Sequence, residues 1–226
     1  MKIEITEDGF ETIYSDKYRQ TYHSRHGVLQ EAEHVFLDGA GVKELIVNQK
    51  KCNILEVGFG TGFNFFLTAA LAKKHNAELN FVTLENNLLS YEIFDSLNHD
   101  QIENAVFIRQ HFVEWMTSLP ENLKNGDYHF EYGKIKLTIK KGDAVKAQLN
   151  DEKYDAVYLD AFSPEQNPEL WTVDFLKKLF NSMRKNALMS TYSAKGSVRR
   201  AMQEAGFDVI KKPGPKGKRE MLVAMK

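Results

Sequence analysis

With a single cysteine, Cys52, among 226 residues, this chain cannot form an internal disulfide. That suits a reducing compartment and excludes the small disulfide-stapled secreted scaffolds. Long apolar runs are missing too, and none approaches the roughly 18 residues of a membrane-spanning helix. The opening MKIEITEDGFETIY is acidic and polar, unlike a signal peptide. These absences predict a cytoplasmic protein with no membrane partner. Charge of one sign is also lacking: 30 Lys and Arg against 31 Asp and Glu leave a net −1. Overall charge therefore announces no polyanionic partner. The histidines, His23, His26, His34, His75, His99, His111 and His129, show no metal-ligand spacing, so no metal is expected. Proline is scarce, and four of the five prolines fall in two short stretches, 164–168 and 213–215. Each fixes a φ angle, which marks both loops as held in place.

What is present is an ordinary globular composition, 42% hydrophobic and 27% charged, long enough for one α/β domain. From residue 51 onward, strand-like and helix-like segments alternate. CNILEVG predicts a buried strand and 62–75 an amphipathic helix. LNFVTLE (79–85) predicts a second strand, followed by a helix over about 88–97, and AVFIRQ (105–110) predicts a third. YDAVYLD (154–160) is the next strand, with a helix over about 170–184. ALMSTYS (187–193), a helix over 198–206 ended by Gly206, and the strands FDVIKK and REMLVAMK complete the series. This alternation indicates βαβ units: a mostly parallel seven-stranded sheet with helices on both faces. YHFEYGKIKLTI breaks the rhythm, and its two alternating runs about Gly133-Lys134 predict a β-hairpin insertion at about 128–140. Residues 1–50 lack sustained periodicity and read as an N-terminal extension packed on a core domain spanning 51–226.

In ILEVGFGTGFN, Gly58, Gly60 and Gly62 lie between the first core strand and its helix. Glycines there let the backbone approach a ligand and adopt turns closed to other residues. A dinucleotide fingerprint would want glycine at position 63, where the chain has Phe63, which disfavours NAD. The pattern E-x-G-x-G-x-G from Glu56 is similar to motif I of S-adenosylmethionine-dependent methyltransferases. A plain strand–helix turn is the simpler alternative. Glu85 ends the second strand, where a carboxylate can accept from both hydroxyls of a ribose. Asp143, in KKGDAV, is placed to meet the adenine amino group, or to be a solvated acid.

The stretch YLDAFSPEQNPELW (158–171) ends an apolar strand on Asp160 and continues into Phe162, two prolines and Trp171. A carboxylate at the tip of a buried strand is costly unless it is paired or working. In an open parallel sheet, ligands bind beyond the carboxyl ends of the strands. Asp160 is therefore expected in the same crevice as Gly58 and Glu85. Beside a sulfonium it would be paired, which makes an amine an attractive methyl acceptor. Capping of the following loop is the plainer reading.

Taken together, LDAFSPEQNPELW, ILEVGFGTGFNF, YHSRHG, EHVFLDGAG, STYSAKGSVRRAMQEAGF and KGKREML resemble the methyltransferase part of MnmC-type tRNA wobble-uridine modification enzymes. The likeness runs from about Tyr22 to Met225, and D-x-F-x-P-x-x-N-P-x-x-W is its most specific pattern. It implies a class I Rossmann-like fold and S-adenosyl-L-methionine as cofactor. It also implies methyl transfer to the exocyclic amine of 5-aminomethyl-2-thiouridine at position 34, in the tRNA anticodon loop. The stand-alone form is implied, with no FAD domain in this chain. By motif match, Glu56, Gly58, Gly60, Gly62, Asn64, Glu85 and Asp143 surround the cofactor. Tyr22 closes over it, and Asp160 is the catalytic carboxylate. Departures exist: Glu33-His34 stand where the family commonly has Arg-Tyr, and Gln166 where a lysine is frequent.

Bases of a single-stranded loop can splay out and stack on aromatics. Phe162 and Trp171 are the candidate platform, although Trp171 is equally placed to anchor its loop. From residue 195 onward nine basic residues face three acidic ones, about +6. Lys195, Lys216, Lys218 and Arg219 are the candidate phosphate contacts. The bland alternative is that KKPGPKGKR is a solvated turn. Two other functions stay open: methylation of a small amine or protein side chain, and RNA binding without catalysis.

Overall fold

The computed structural model describes residues 2–226. Residues 2–50 begin with an antiparallel sheet of β1 (Lys2–Ile5), β2 (Glu11–Ser15) and β3 (Gln20–Thr21). A short helix, α1 (Val28–Glu31), widens into a π-helical stretch (Ala32–Asp38) before α2 (Val42–Gln49). The core then runs β4 (Lys51–Val57), α3 (Phe63–Lys74), β5 (Glu78–Glu85), α4 (Tyr91–Ser96), α5 (Val106–Thr117), β6 (Gly126–Tyr132), β7 (Ile135–Lys141) and β8 (Tyr154–Leu159). It finishes with α6 (Val173–Ser182), β9 (Met183–Thr191), α7 (Gly196–Glu204), β10 (Asp208–Pro213) and β11 (Glu220–Met225).

The central sheet has the order β10-β11-β9-β8-β4-β5-β7-β6. Pairing is parallel from β9 through β8, β4 and β5 to β7, and antiparallel at both ends. The chain builds outward from β4 through β5 to β7, then returns to lay β8 on the other side of β4. That reversal is the switch point of a doubly wound sheet, where two diverging loops leave a crevice. Both faces are covered. Cys52, Ile54, Leu79 and Phe81 pack toward α2, α3 and α5, and Leu55, Val57, Val82 and Leu84 pack toward α6 and α7. Strands buried on both faces read as continuous apolar runs, as CNILEV does.

Four expectations change. AVFIRQ is not a strand but the start of α5: Ile108, Phe112 and Met116 repeat every four residues and are buried on one face. A six-residue apolar window does not separate the two periods, and the continuation to Thr117 does. The hairpin is not an insertion. β7 pairs in parallel with β5 over seven residues and takes the third-strand place vacated by AVFIRQ, with β6 added at the edge. The sheet therefore has eight strands, not seven.

Nor is α3 amphipathic. Phe63, Asn64, Phe65, Phe66, Leu67, Thr68, Ala69, Ala70 and Ala72 are all buried, as expected of a helix enclosed on every side. The N-terminal segment covers its outer face, with Phe10 at 5.1 Å and His23 at 5.8 Å from the Phe63 ring. Burying each such phenylalanine stabilises the fold by roughly 1.5–3 kcal/mol.

Candidate active site

At the carboxyl end of β4, the backbone turns through Gly58 (φ +94°) and Gly60 (φ +54°), conformations that disfavour a side chain. A Cβ on Gly58 would sit 2.7 Å from the Asp160 carbonyl oxygen, and one on Gly60 3.0 Å from the Tyr22 ring. The turn is stitched to its neighbours: Gly58 N donates to Leu84 O at 2.9 Å and Asp160 N to Val57 O at 3.0 Å. Glu85, at the tip of β5, accepts through Oε2 from Phe59 N (2.9 Å) and Gly60 N (3.2 Å), and through Oε1 from Asn87 N (2.6 Å). A carboxylate has further lone pairs, so Glu85 can still receive ligand hydroxyls.

A cavity of about 390 Å³ opens above these tips, a size suited to a cofactor or drug-sized ligand. Gly58, Gly60, Glu85 and Asp143 line one end, and Asp160, Phe162 and Lys218 line it as well, with Tyr22 over Gly60. Tyr22 keeps its proton, its pKa pushed up to about 12 by burial and then by the Glu85 charge. Asp143 is exposed at the rim, and its Oδ1 accepts from Val145 N at 2.9 Å.

Asp160 is held from behind. Asn64 Nδ2 donates to Asp160 Oδ2 at 2.8 Å and to Glu56 Oε1 at 3.1 Å, and Thr83 Oγ1 donates to Glu56 Oε2 at 2.9 Å. Glu56, Asn64 and Gly62 are buried and do not line the cavity. Their contacts in this structure lead to residues that do line it. Glu56 and Asn64 fix the Asp160 carboxyl, and Gly62 (φ +75°) starts α3 beneath the Phe59 and Phe66 rings. Burial, then the Glu31 charge, pushes Asp160 well above the usual carboxylate range. Burial and the charge of Asp160 do the same to Glu56.

The other candidates separate. Trp171 is buried, and its Nε1 donates to Phe162 O at 3.0 Å. It anchors the loop and offers no stacking face, because its indole is consumed in the core. Phe162 does face the cavity, and Tyr18 stacks on it at 4.2 Å with a 25° tilt. Lys195 is exposed and paired with Glu165. Lys216 is exposed and paired with Glu7 at 2.7 Å, and Arg219 is exposed. Lys218 differs from its neighbours: it turns into the cavity, 2.5 Å from Glu31 Oε1 and 4.0 Å above the Tyr192 ring. Its charge is paired with Glu31 at the pocket.

Glu31, Tyr192 and Tyr18 line the cavity and carried no sequence signal. Asp8 explains how Glu31 arrives there. Its carboxylate accepts from Val28 N (3.2 Å), Leu29 N (2.9 Å) and Gln30 N (3.4 Å), capping α1 from the β1–β2 turn. His34 Nε2 donates to Pro213 O at 2.8 Å, and a Cβ on Gly217 (φ +84°) would collide with the His26 ring where it now stands. The N-terminal segment and the 213–219 loop thus close on each other. Among the described residues, no group of three His, Cys, Asp or Glu side chains could hold a metal.

A family model described as S-adenosyl-L-methionine-dependent methyltransferase matches residues 103–226. The chain is 36% identical over 225 residues to the tRNA 5-methylaminomethyl-2-thiouridine biosynthesis bifunctional protein MnmC of Azoarcus sp. (strain BH72), covering 97% of this chain and 34% of that protein. It is 34% identical to the protein of the same name from Burkholderia mallei (strain SAVP1), covering 96% and 34%. This chain thus spans about a third of the length of these relatives. Its fold matches the crystal structure of MNMC2 from Aquifex aeolicus with a TM-score of 0.82 and 30% identity, over 99% of this chain and 69% of that one. Spermidine synthase in complex with the transition state analogue AdoDATO shares the fold at a TM-score of 0.55 and 11% identity.

Proposed function

The chain belongs to the S-adenosyl-L-methionine-dependent methyltransferase family, and on that premise we propose that it methylates the 5-aminomethyl group of 5-aminomethyl-2-thiouridine at the wobble position of tRNA. The methyl donor is S-adenosyl-L-methionine, which supplies a methyl group on a positively charged sulfur. Gly58 and Gly60, with no Cβ to fill the turn, would cradle its amino-acid end. Glu85 would hold the ribose and Asp143 the adenine edge.

The observation that carries the proposal is Asp160. Its carboxyl lines the cavity, is pinned by Asn64, and holds protons more tightly than an ordinary aspartate. An alkylammonium has no free lone pair and must lose its proton before it attacks a methyl group. An ordinary carboxylate is a poor acceptor for that proton. Burial raises Asp160 toward the task, and its fixed oxygen orients the remaining N–H bonds of the amine. Most of the acceleration would come from placing nitrogen, methyl and sulfur on one line. The sulfonium charge would in turn help Asp160 stay ionised until the amine arrives.

Recognition of RNA rests on the likeness to the named relatives and on the mouth of the pocket. Phe162 and Tyr18 offer aromatic faces at its rim, and Lys195, Lys216 and Arg219 are exposed. Nucleoside mass spectrometry tests the proposal. Purified protein, S-adenosyl-L-methionine and tRNA bearing the aminomethyl nucleoside should yield 5-methylaminomethyl-2-thiouridine. Methyl acceptance by cell extract that survives RNase treatment, with no change in the wobble nucleoside, would refute it.

A further inference from the structure

Glu31 is the buried carboxylate that the proposed reaction leaves unused. Only 7% exposed, it lies at the end of α1 and lines the same cavity as Asp160. Its Oε2 accepts from Ser24 N at 2.9 Å, and its Oε1 accepts from Lys218 Nζ at 2.5 Å. The Lys218 ammonium stands 4.0 Å above the Tyr192 ring, and Tyr192 OH donates to Ala161 O at 2.8 Å. That chain of contacts places Glu31 and Lys218 beside the 160–161 segment. Of the charged groups around Asp160, Glu31 acts on it most strongly, ahead of Lys218.

A tether between the N-terminal segment and the 213–219 loop does not explain this pair. The same two segments are already joined by the exposed Lys216–Glu7 pair and by the His34–Pro213 hydrogen bond. Taking a carboxylate out of water costs several kcal/mol unless its charge is used. Glu31 has two partners and room for more, since an ionised carboxylate offers about four acceptor sites. Five carboxylates line the cavity, Glu31, Glu85, Asp143, Asp160 and Glu169, against the three cations Arg19, Arg25 and Lys218; of the two negative charges in excess the donor sulfonium would match one, and an acceptor ammonium would match the other.

We infer that Glu31 is a second anionic ligand for the acceptor ammonium, delivered by the N-terminal segment and oriented by Lys218. It deepens the proposed function and rests on it. Asp160 and Glu31 would grip a primary alkylammonium from two sides; the proton then passes from nitrogen to Asp160, leaving the lone pair aimed at the methyl group. A neutral wobble side chain would gain nothing from Glu31.

The test uses the full chain with Glu31→Gln and Lys218→Met, and two tRNAs, one with 5-aminomethyl-2-thiouridine and one with unmodified uridine at position 34. Wild-type protein loaded with S-adenosylhomocysteine should prefer the amine-bearing tRNA, and Glu31→Gln should lose about tenfold of that preference. The KM for that tRNA should rise by a similar factor, with the affinity for S-adenosyl-L-methionine unchanged. The acid limb of kcat/KM provides the sharper reading. Facing Asp160 are Glu31 from α1, Lys218 from the loop after β10, Tyr192 after β9 and, behind Asn64, Glu56 from β4, which both variants leave in place; Asp8 and His23 stand behind Glu31. Removing the negative charge of Glu31 should move the limb to lower pH, and removing the positive charge of Lys218 should move it to higher pH.

A merely structural pair would make both variants fail alike, by loss of folding or of all binding, with no opposed shifts. That result, or an unchanged preference in Glu31→Gln, overturns the inference while leaving the methyl transfer intact. Absence of methyl transfer by the wild-type protein overturns the function instead.

Discussion

The two ends of the pocket are built by opposite means. The proposed donor end is local: Gly58, Gly60 and Glu85 come from consecutive strand tips, and Glu85 accepts from the amides of Phe59 and Gly60, 26 and 25 positions away. The acceptor end is assembled from remote segments, with Lys218 reaching Glu31 across 187 positions and Gln20 Nε2 reaching Ser163 Oγ across 143 at 2.8 Å. Asn64 joins the two, since it spans 96 positions to hold Asp160. The lesson is that the proposed cofactor end follows from the sheet's topology, whereas the proposed substrate end depends on how the N-terminal segment docks.

The largest effect should come from the junction. Asp160→Asn should lower kcat by about 10²–10⁴-fold while calorimetry shows S-adenosyl-L-methionine affinity within a few-fold of wild type. Loss of cofactor binding in that variant would erase the division into two ends. Gly58→Ala should do the reverse and strike the donor end. Its φ of +94° and the Asp160 carbonyl 2.7 Å from a new Cβ predict at least about tenfold weaker cofactor binding and a stability loss of roughly 1–3 kcal/mol. Unaltered affinity would mean the turn does not approach the cofactor.

A smaller effect concerns the seam between the N-terminal sheet and α3. His99 is buried with neither ring nitrogen hydrogen-bonded, and burial lowers its pKa to about 3; burial lowers His23 to about 4. Unfolded, each binds a proton near the ordinary value of 6.5. The unfolded state therefore takes up more protons, and the stability each contributes is complete above about pH 6.5 and falls as the pH drops toward the folded value. Near about pH 5 the loss from His99 alone is roughly 2 kcal/mol. Replacing His99 with phenylalanine should flatten the decline of Tm between about pH 6.5 and 5. Glu56 and Asp160 slope the other way, since their raised folded pKa values favour the fold at low pH and cost stability as the pH rises past their unfolded values.

The smallest effect belongs to the surface. Lys216→Ala with Arg219→Ala should raise the KM for tRNA about two- to threefold and reduce its dependence on salt. The pairing of Lys216 with Glu7 is exposed on both sides, at 61% and 48%, so it holds little energy of its own. An unchanged KM across salt concentrations would remove the exposed charges of this loop from RNA binding.

How much of this was legible follows the same division. The glycine turn, Glu85 and Asp160 are marked by strand patterns and by residue types that a buried strand end does not tolerate idly. Glu31 sits in GVLQEAEHVFLDG, where a helical acid looks like any solvated one, because its burial is set by Asp8 capping α1 and by a lysine near the other terminus. Lys218 lies in a lysine-rich loop, and composition does not reveal which lysine turns inward. Trp171 and Phe162 are equivalent as letters, and the hydrogen bond from Trp171 Nε1 to Phe162 O decides which is anchor and which is wall. The misplaced third strand has a similar origin: six apolar and polar residues fit two periods until tertiary packing selects one.

The most direct test is a structure of the protein with S-adenosylhomocysteine and an anticodon stem-loop carrying the aminomethyl nucleoside. The account predicts the cofactor's amino-acid end on the Gly58–Gly60 turn, its ribose on Glu85, and the substrate nitrogen between the sulfur and the Asp160 carboxylate. A complex in which Asp160 faces away from the sulfur, with the nucleobase bound elsewhere, would contradict it.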